Sequence, residues 1–80
     1  MFRKNIRLRT LEDAKQLVAL ANACDFDIDV GYQRVMIDGK SILGVLGLDF
    51  NRVITVSMNG RDEAFERFLD SKSLDASSAA

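Results

Sequence analysis

The sequence predicts an α/β fold of the α+β kind: an open-faced sandwich whose four-stranded antiparallel sheet carries three helices on one face, in the order β-α-β-β-α-β-α. Three observations lead there. Several short segments alternate apolar and polar residues with the period of a half-buried strand. Other segments repeat apolar residues at helical spacing, and turn dipeptides separate the two kinds. A sheet wet on one face and covered by helices on the other satisfies all three patterns together.

The elements follow in order. In IRLRT, Ile6 and Leu8 alternate with Arg7 and Arg9, placing a first strand at about residues 2–8. TLEDAKQLVALANAC then sets Ala14, Leu17, Val18, Ala21 and Cys24 on one stripe of a first helix. Thr10 is its expected N-cap, with Asp13 in a capping-box position and Glu12 favouring the positive end of the helix dipole. Phe26, Ile28, Val30 and Tyr32 alternate with Asp27, Asp29 and Gly31, the clearest strand signal in the chain. VMID returns after Arg34 as the third strand of a hairpin, stopped at Asp38-Gly39. The spacing of Ile42, Val45 and Leu46 is helical, but Gly44 and Gly47 limit that helix to about two turns. The β-branched run in Arg52–Met58 reads as the fourth strand, closed by Asn59-Gly60. Ala64, Phe65, Phe68 and Leu69 form the apolar side of a terminal helix whose other face carries Asp62, Glu63, Glu66 and Arg67.

The chain has 80 residues, 48% apolar and 29% charged, the balance of a globular domain rather than of disorder. At that length it supports a single core. One domain is expected over residues 1–72, and SLDASSAA, residues 73–80, is expected to be a disordered tail because it has no period. The net charge of −1 creates no global field toward nucleic acid or anionic lipid. No apolar run approaches the ~20 residues of a membrane span, and MFRKNIRLRT has no signal-like apolar stretch. A cytoplasmic protein is expected, with no direct nucleic-acid or membrane partner, as a monomer or weak homodimer. The single Cys24 has no second thiol and no histidine to share a metal, so it reads as a small buried apolar residue and no metal or cofactor is expected. Asp25, Asp27 and Asp29 alternate along a strand and cannot wrap a calcium ion. Gly44 and Gly47 lack the rest of a phosphate-binding loop. Arg3, Lys4, Arg7 and Arg9 read as solubility and edge protection.

One stretch carries more than fold information. GKSILGVLGL, from Gly39 to Leu48, sets a serine directly before a glycine-interrupted aliphatic run. The element order is used both by ferredoxin-like folds and by HPr, the histidine-containing phosphocarrier family of bacterial sugar phosphotransferase systems. Lys40, Ser41, Ile42, Leu43, Gly44 and Val45 resemble the HPr motif Lys-Ser-Ile-Met-Gly-Val at the start of its second helix, and the order and lengths of the elements are similar from about Phe2 to Leu69.

The resemblance implies that Ser41 is the target of the ATP-dependent HPr kinase/phosphorylase, and that the exposed apolar side of this helix docks phosphotransferase-system proteins and a CcpA-like transcription factor. Lys40, Ile42, Leu43, Val45 and Leu46 are the implied contact residues, with Ile42, Leu46 and then Leu43 expected on the open side. Without the resemblance, Ser41 reads as a helix cap and the aliphatic residues as core. The resemblance also exposes a departure. HPr carries phosphate on a histidine before the first helix, followed two residues later by an arginine, and this chain has no histidine. Thr10 stands at the histidine's place, Glu12 at the arginine's and Asp13 at the following proline's. A threonine phosphoester is a low-energy linkage, and the carboxylates repel the dianion that the arginine attracts. The chain therefore resembles Crh-like members, regulatory proteins without histidine relay, and no catalytic residue or enzymatic activity is expected. The alternative is a stand-alone ferredoxin-like ligand-binding or interaction domain in which Ser41 is only a cap.

Overall fold

The structure, a computed structural model, describes residues 1–73. Its elements are β1 (Phe2–Ile6), α1 (Leu11–Asn22), β2 (Ile28–Tyr32), β3 (Val35–Asp38), α2 (Ile42–Leu46), β4 (Ile54–Met58) and α3 (Glu63–Lys72). The strands form one antiparallel sheet in the order β1-β4-β2-β3, so the expected open-faced sandwich is the observed one. Most of the expected tail, residues 74–80, lies outside the described residues, whereas Ser73 bridges Ile6 beside β1.

Pairing register determines which side chains meet the helices. Ile6 opposes Ile54, and Met58 lies between Phe2 and Ile28. Val56 lies between Lys4 and Val30, and Val30 in turn opposes Ile37. Because opposed residues share a face, these rows make the apolar side. The other side carries Arg3, Ser57, Asp29 and Asp38 in one row and Asn5, Thr55, Gly31 and Met36 in the next. A hydrogen bond from Thr55 Oγ1 to Asn5 Oδ1, 2.9 Å, ties β4 to β1 across that wet side.

Against the apolar rows α1 lays Ala14, Leu17, Val18 and Ala21, and α3 lays Phe65, Phe68 and Leu69. Burying a side chain such as Phe65, which has no exposed surface, stabilises the fold by about 2–3 kcal/mol. Ala64, expected in the core, is exposed instead. Three buried positions already fill the inward stripe of this ten-residue helix, and residue 64 falls on its flank.

β3 matches its expected run, VMID, whereas the other three strands are shorter than their patterns suggest. β1 ends at Ile6 rather than residue 8 because the Arg7 N–H donates to Lys72 O at 3.0 Å and leaves the ladder. Leu8 stays buried in the following loop, so the alternation continues beyond the hydrogen bonding that defines the strand. Phe26 lies outside β2 yet packs half-buried against the core; a Cβ at Gly60 would come within 2.5 Å of its ring. Arg52 belongs to a turn in which its N–H donates to Asp49 O at 3.1 Å, so β4 starts at Ile54.

The β2–β3 hairpin turns through Gln33 and Arg34, and Gln33 takes φ 53°, a left-handed conformation unusual for a side-chain-bearing residue. Gly31 is required by space: a Cβ there would stand 1.7 Å from the carbonyl oxygen of Val35. Gly31→Ala is expected to lower unfolding free energy by about 3 kcal/mol through forced displacement of β3, read from a urea titration. Gln33→Gly should raise it by about 1 kcal/mol by removing the left-handed strain.

Candidate functional site

Ser41 is set at the head of α2 by a compact turn. Gly39 N–H donates to Ile28 O at 2.8 Å, and a Cβ on Gly39 would lie 2.8 Å from the Ile28 side chain, so glycine lets the chain pass close to β2. Asp38 then receives two N–H groups: its carboxylate accepts from Lys40 at 2.9 Å and its carbonyl from Ser41 at 3.1 Å. With extended dihedrals of φ −98° and ψ 112°, Ser41 presents its hydroxyl oxygen to Gly44 N–H at 3.2 Å and caps the helix. The other end closes at Gly47, whose N–H donates to Leu43 O and Gly44 O.

The five-residue helix has two contrasting sides. Gly44 sits against β3, where an added Cβ would be 3.0 Å from Ile37 Cδ1, and its neighbour Val45 is completely buried. Ile42 and Leu46 are half-exposed, and Leu43 is 82% exposed. The three aliphatic residues expected on the open side are therefore the exposed ones. Val45, grouped with them in the expected contact set, is corrected to a core residue: the close approach that Gly44 permits turns it inward, where no partner reaches it.

Lys40 has a different local role from that of a free cation beside the serine. Its ammonium donates to Cys24 O at 2.9 Å, while the Asn22 side-chain amide donates to Lys40 O at 3.0 Å and to Val18 O at 2.9 Å. Together they clamp the end of α1 to the start of α2. No spacing pattern in the sequence signals this pairing, since it joins residues 16 and 18 positions apart through backbone carbonyls. Cys24 is buried under the clamp and its thiol donates to Leu20 O at 3.4 Å. Burial pushes the thiol pKa up, the carboxylates of Asp62 and Asp25 add to that, and Lys40 opposes it. A thiol so held is protonated at neutral pH.

Thr10 caps α1, its hydroxyl oxygen accepting from Asp13 N–H at 3.1 Å. The reciprocal contact differs from a capping box: Asp13 Oδ2 accepts from Arg9 N–H at 3.0 Å, one residue before the cap. Asp13 Oδ1 is also 3.1 Å from Lys72 Nζ, so the buried carboxylate ties the start of α1 to the end of α3. Burial pushes the Asp13 pKa up, but the Arg9 N–H, the Lys72 ammonium and the Thr10 contact outweigh it and leave the carboxyl below its usual range. Thr10 is thus occupied as a helix cap, with Glu12 and Asp13 in the turn it heads.

Among the described residues no group of three or more His, Cys, Asp or Glu could hold a metal ion, no concave pocket for a small molecule is present, and no helix is long and apolar enough to cross a membrane. What the arrangement offers is surface: a capped short helix with an apolar outer side.

The Asp13 contacts predict an acid dependence. Its folded pKa lies below the unfolded value, so its stabilisation is fully present above about pH 4 and is lost as pH falls through the lower folded pKa. Asp13→Asn should therefore be less stable than the parent at neutral pH, and the difference should shrink as pH is lowered toward about 2 in urea titrations. A pH-independent difference would mean that the amide loses only packing.

Comparison with known proteins is consistent with this geometry. The chain is similar in structure to HPr-C-His from Thermoanaerobacter tengcongensis, with TM-score 0.70 and 23% identity over 89% of this chain and 93% of that one. It is similar also to the phosphocarrier protein HPr from Bacillus anthracis str. Ames, with TM-score 0.66 and 24% identity over the same shares. At such identities the likeness speaks for the fold. No curated protein sequence matches. The family model described as PTS HPr component phosphorylation site matches residues 11–70, three quarters of the chain from the first residue of α1 to the last turn of α3. That span decides between the two families that the element order allowed: the chain belongs to the HPr family of the phosphotransferase system.

Proposed function

We propose that this HPr-family chain is a regulatory protein, phosphorylated on Ser41 and docking partners through α2, that carries no phosphoryl relay. The reading rests on one observation: a single short helix combines a serine cap with three exposed aliphatic side chains, Ile42, Leu43 and Leu46. The first-turn N–H groups of a helix lack intrahelical partners, so a phosphate there meets free donors and the positive end of the dipole. Adding a charge of about −1.5 to −2 beside an apolar patch changes which partner surfaces fit while leaving the fold in place. By family resemblance the modifying enzyme is an HPr kinase/phosphorylase, and the partners are a CcpA-like transcription factor and phosphotransferase-system proteins of the cytoplasm.

The second half of the proposal comes from Thr10. A relay residue must accept a phosphoryl group from a phosphohistidine donor and return it at a similar energy, which imidazole does and a threonine ester does not. Thr10 is engaged with Asp13 N–H, and Glu12 and Asp13 occupy the same turn. The chain contains no histidine to take its place.

Intact-mass measurement after incubation with ATP and an HPr kinase/phosphorylase should show one phosphate, absent in Ser41→Ala. Phosphate retained in that variant, or none in the parent, would overturn the assignment. Leu43→Asp tests docking separately. At this exposed position it should change stability by no more than about 0.5 kcal/mol, yet weaken capture by a CcpA-like partner about tenfold. Undiminished capture would remove α2 from the interface.

A further inference from the structure

We infer that the outer edge of β3 pairs with the same edge of a second copy of this chain, antiparallel and in a register centred on Met36. The inference does not rest on the reading of Ser41. It starts from an inequality between the two edges of the sheet, β1 and β3. The β1 edge is protected: Lys4 projects among the apolar rows and meets Asp70 at 2.7 Å, Ile6 bridges Ser73, and Arg7 N–H donates to Lys72 O. An inward-pointing charge and a covering segment both keep an edge from adding a strand. β3 has neither, and its run VMID contains no lysine, proline or bulge. Val35 and Met36 are 45% and 46% exposed there.

The hairpin leaves backbone groups free on that edge. Tyr32 and Val35 close a two-residue turn, and the two residues of such a closing pair exchange hydrogen bonds with each other. Bonded pairs recur at every second residue, a phase that the Gly39 N–H keeps at the other end by donating to Ile28 O at 2.8 Å. Val35 and Ile37 thus turn their backbone groups to β2, and those of Met36 point to the open side. No backbone bond from a turn, loop or cap among the described residues reaches Met36.

Charge decides the occupant. Opposed residues share a face, so a copy related by a two-fold axis through Met36 sets Val35 against Ile37 on the helix-covered side and Arg34 against Asp38 on the open side. Each pair occurs twice by symmetry. Arg34 and Asp38 have no ion-pair partner among the described residues. Asp38 is opposed on β2 by Asp29, a like charge, and the one cation of that row, Arg3, stands beyond Ser57 at the far edge. Lys40, next along the chain, turns its ammonium to Cys24 O, and Arg52 lies over the Tyr32 ring beside Asp49. An arginine from a second copy therefore balances a pair of carboxylates that the lone chain leaves opposed.

Other arrangements lose this match. An axis through Ile37 opposes Arg34 with Lys40, and one through Val35 opposes Asp38 with Tyr32. A slip of a single residue between these registers sends Val35 and Ile37 of one copy to the face of Met36 in the other. Parallel pairing sets arginine beside arginine at one end and aspartate beside aspartate at the other, which is repulsive at both. The antiparallel form keeps both helical layers on one side and closes as a pair, since each chain offers one such edge. A strand this short buries less than the about 1,200 Å² of a stable complex, so the association is weak, with Kd on the order of 0.1 to 1 mM.

Amide NMR spectra of the full chain from about 0.05 to 2 mM, with sedimentation equilibrium over the same range, test this directly. Shifts at residues 34–38 should move with concentration while the mass rises toward that of a dimer. Met36→Lys sets two ammonium groups face to face at the axis and should weaken self-association about tenfold, with the fold retained in its amide spectrum. Arg34→Asp and Asp38→Arg should each self-associate about fivefold less tightly, and a mixture of the two should recover the parental affinity, because every opposed pair is again of unlike sign. No concentration dependence, shifts confined to β1 or α2, parental association by Met36→Lys, or a mixture that stays weak while both variants keep the parental fold would overturn the proposal. Binding of a peptide of residues 33–39 to this edge by a chain that itself stays monomeric would also overturn it, making a foreign strand the occupant.

Discussion

α2 lies close against β3 at Gly44, where an added Cβ would stand 3.0 Å from Ile37 Cδ1. Val45 enters the core completely, while Ile42, Leu43 and Leu46 face outward. A helix of five residues is too short to be stable alone, so it needs fixing from outside. The Ser41 cap and the Asp38 turn hold its start, and the Asn22–Lys40–Cys24 clamp joins that start to α1. An apolar surface with a defined shape follows from these restraints, since each exposed aliphatic side chain is displayed from a backbone that is held on the other side.

The two serine-or-threonine caps of this structure make an instructive contrast. Both accept an N–H from three residues onward, Thr10 from Asp13 and Ser41 from Gly44. Their surroundings differ. The turn after Thr10 carries two carboxylates, one of them locked to Lys72, whereas the first turn of α2 contains no acidic residue. Negative charge at Thr10 would meet repulsion and would strain the Asp13 junction between α1 and α3. Negative charge at Ser41 meets no acidic residue within α2, the nearest carboxylate being that of Asp38 in the preceding turn. The same capping geometry thus serves permanent structure at one helix and is compatible with modification at the other, the difference lying in which residues follow the cap.

Periodicity alone made the sheet and its covering helices legible, because a half-wet strand and an amphipathic helix each write their burial into the sequence. The caps were legible too: Thr10 and Ser41 are short polar residues placed directly before apolar repeats. Strand ends were less so, because Leu8 and Phe26 remain packed against the core after the ladder has ended, and packing is what alternation reports. The outward side of α2 was partly legible. Ile42, Val45 and Leu46 all fit a helical stripe, and only the three-dimensional contact between Gly44 and Ile37 assigns Val45 inward. The Lys40 clamp and the Asp13–Lys72 bridge left no local trace at all, since each joins segments that only the fold brings together.

The central claim is that the start of α1 has become structural while the functional surface has moved to α2. Incubation of the full chain with labelled phosphoenolpyruvate and enzyme I, beside a histidine-bearing HPr as a positive control, tests it most directly. The account predicts label on the control and none on this chain. Label recovered on Thr10 or on any other residue would show that a phosphoryl relay persists without histidine, and would contradict it.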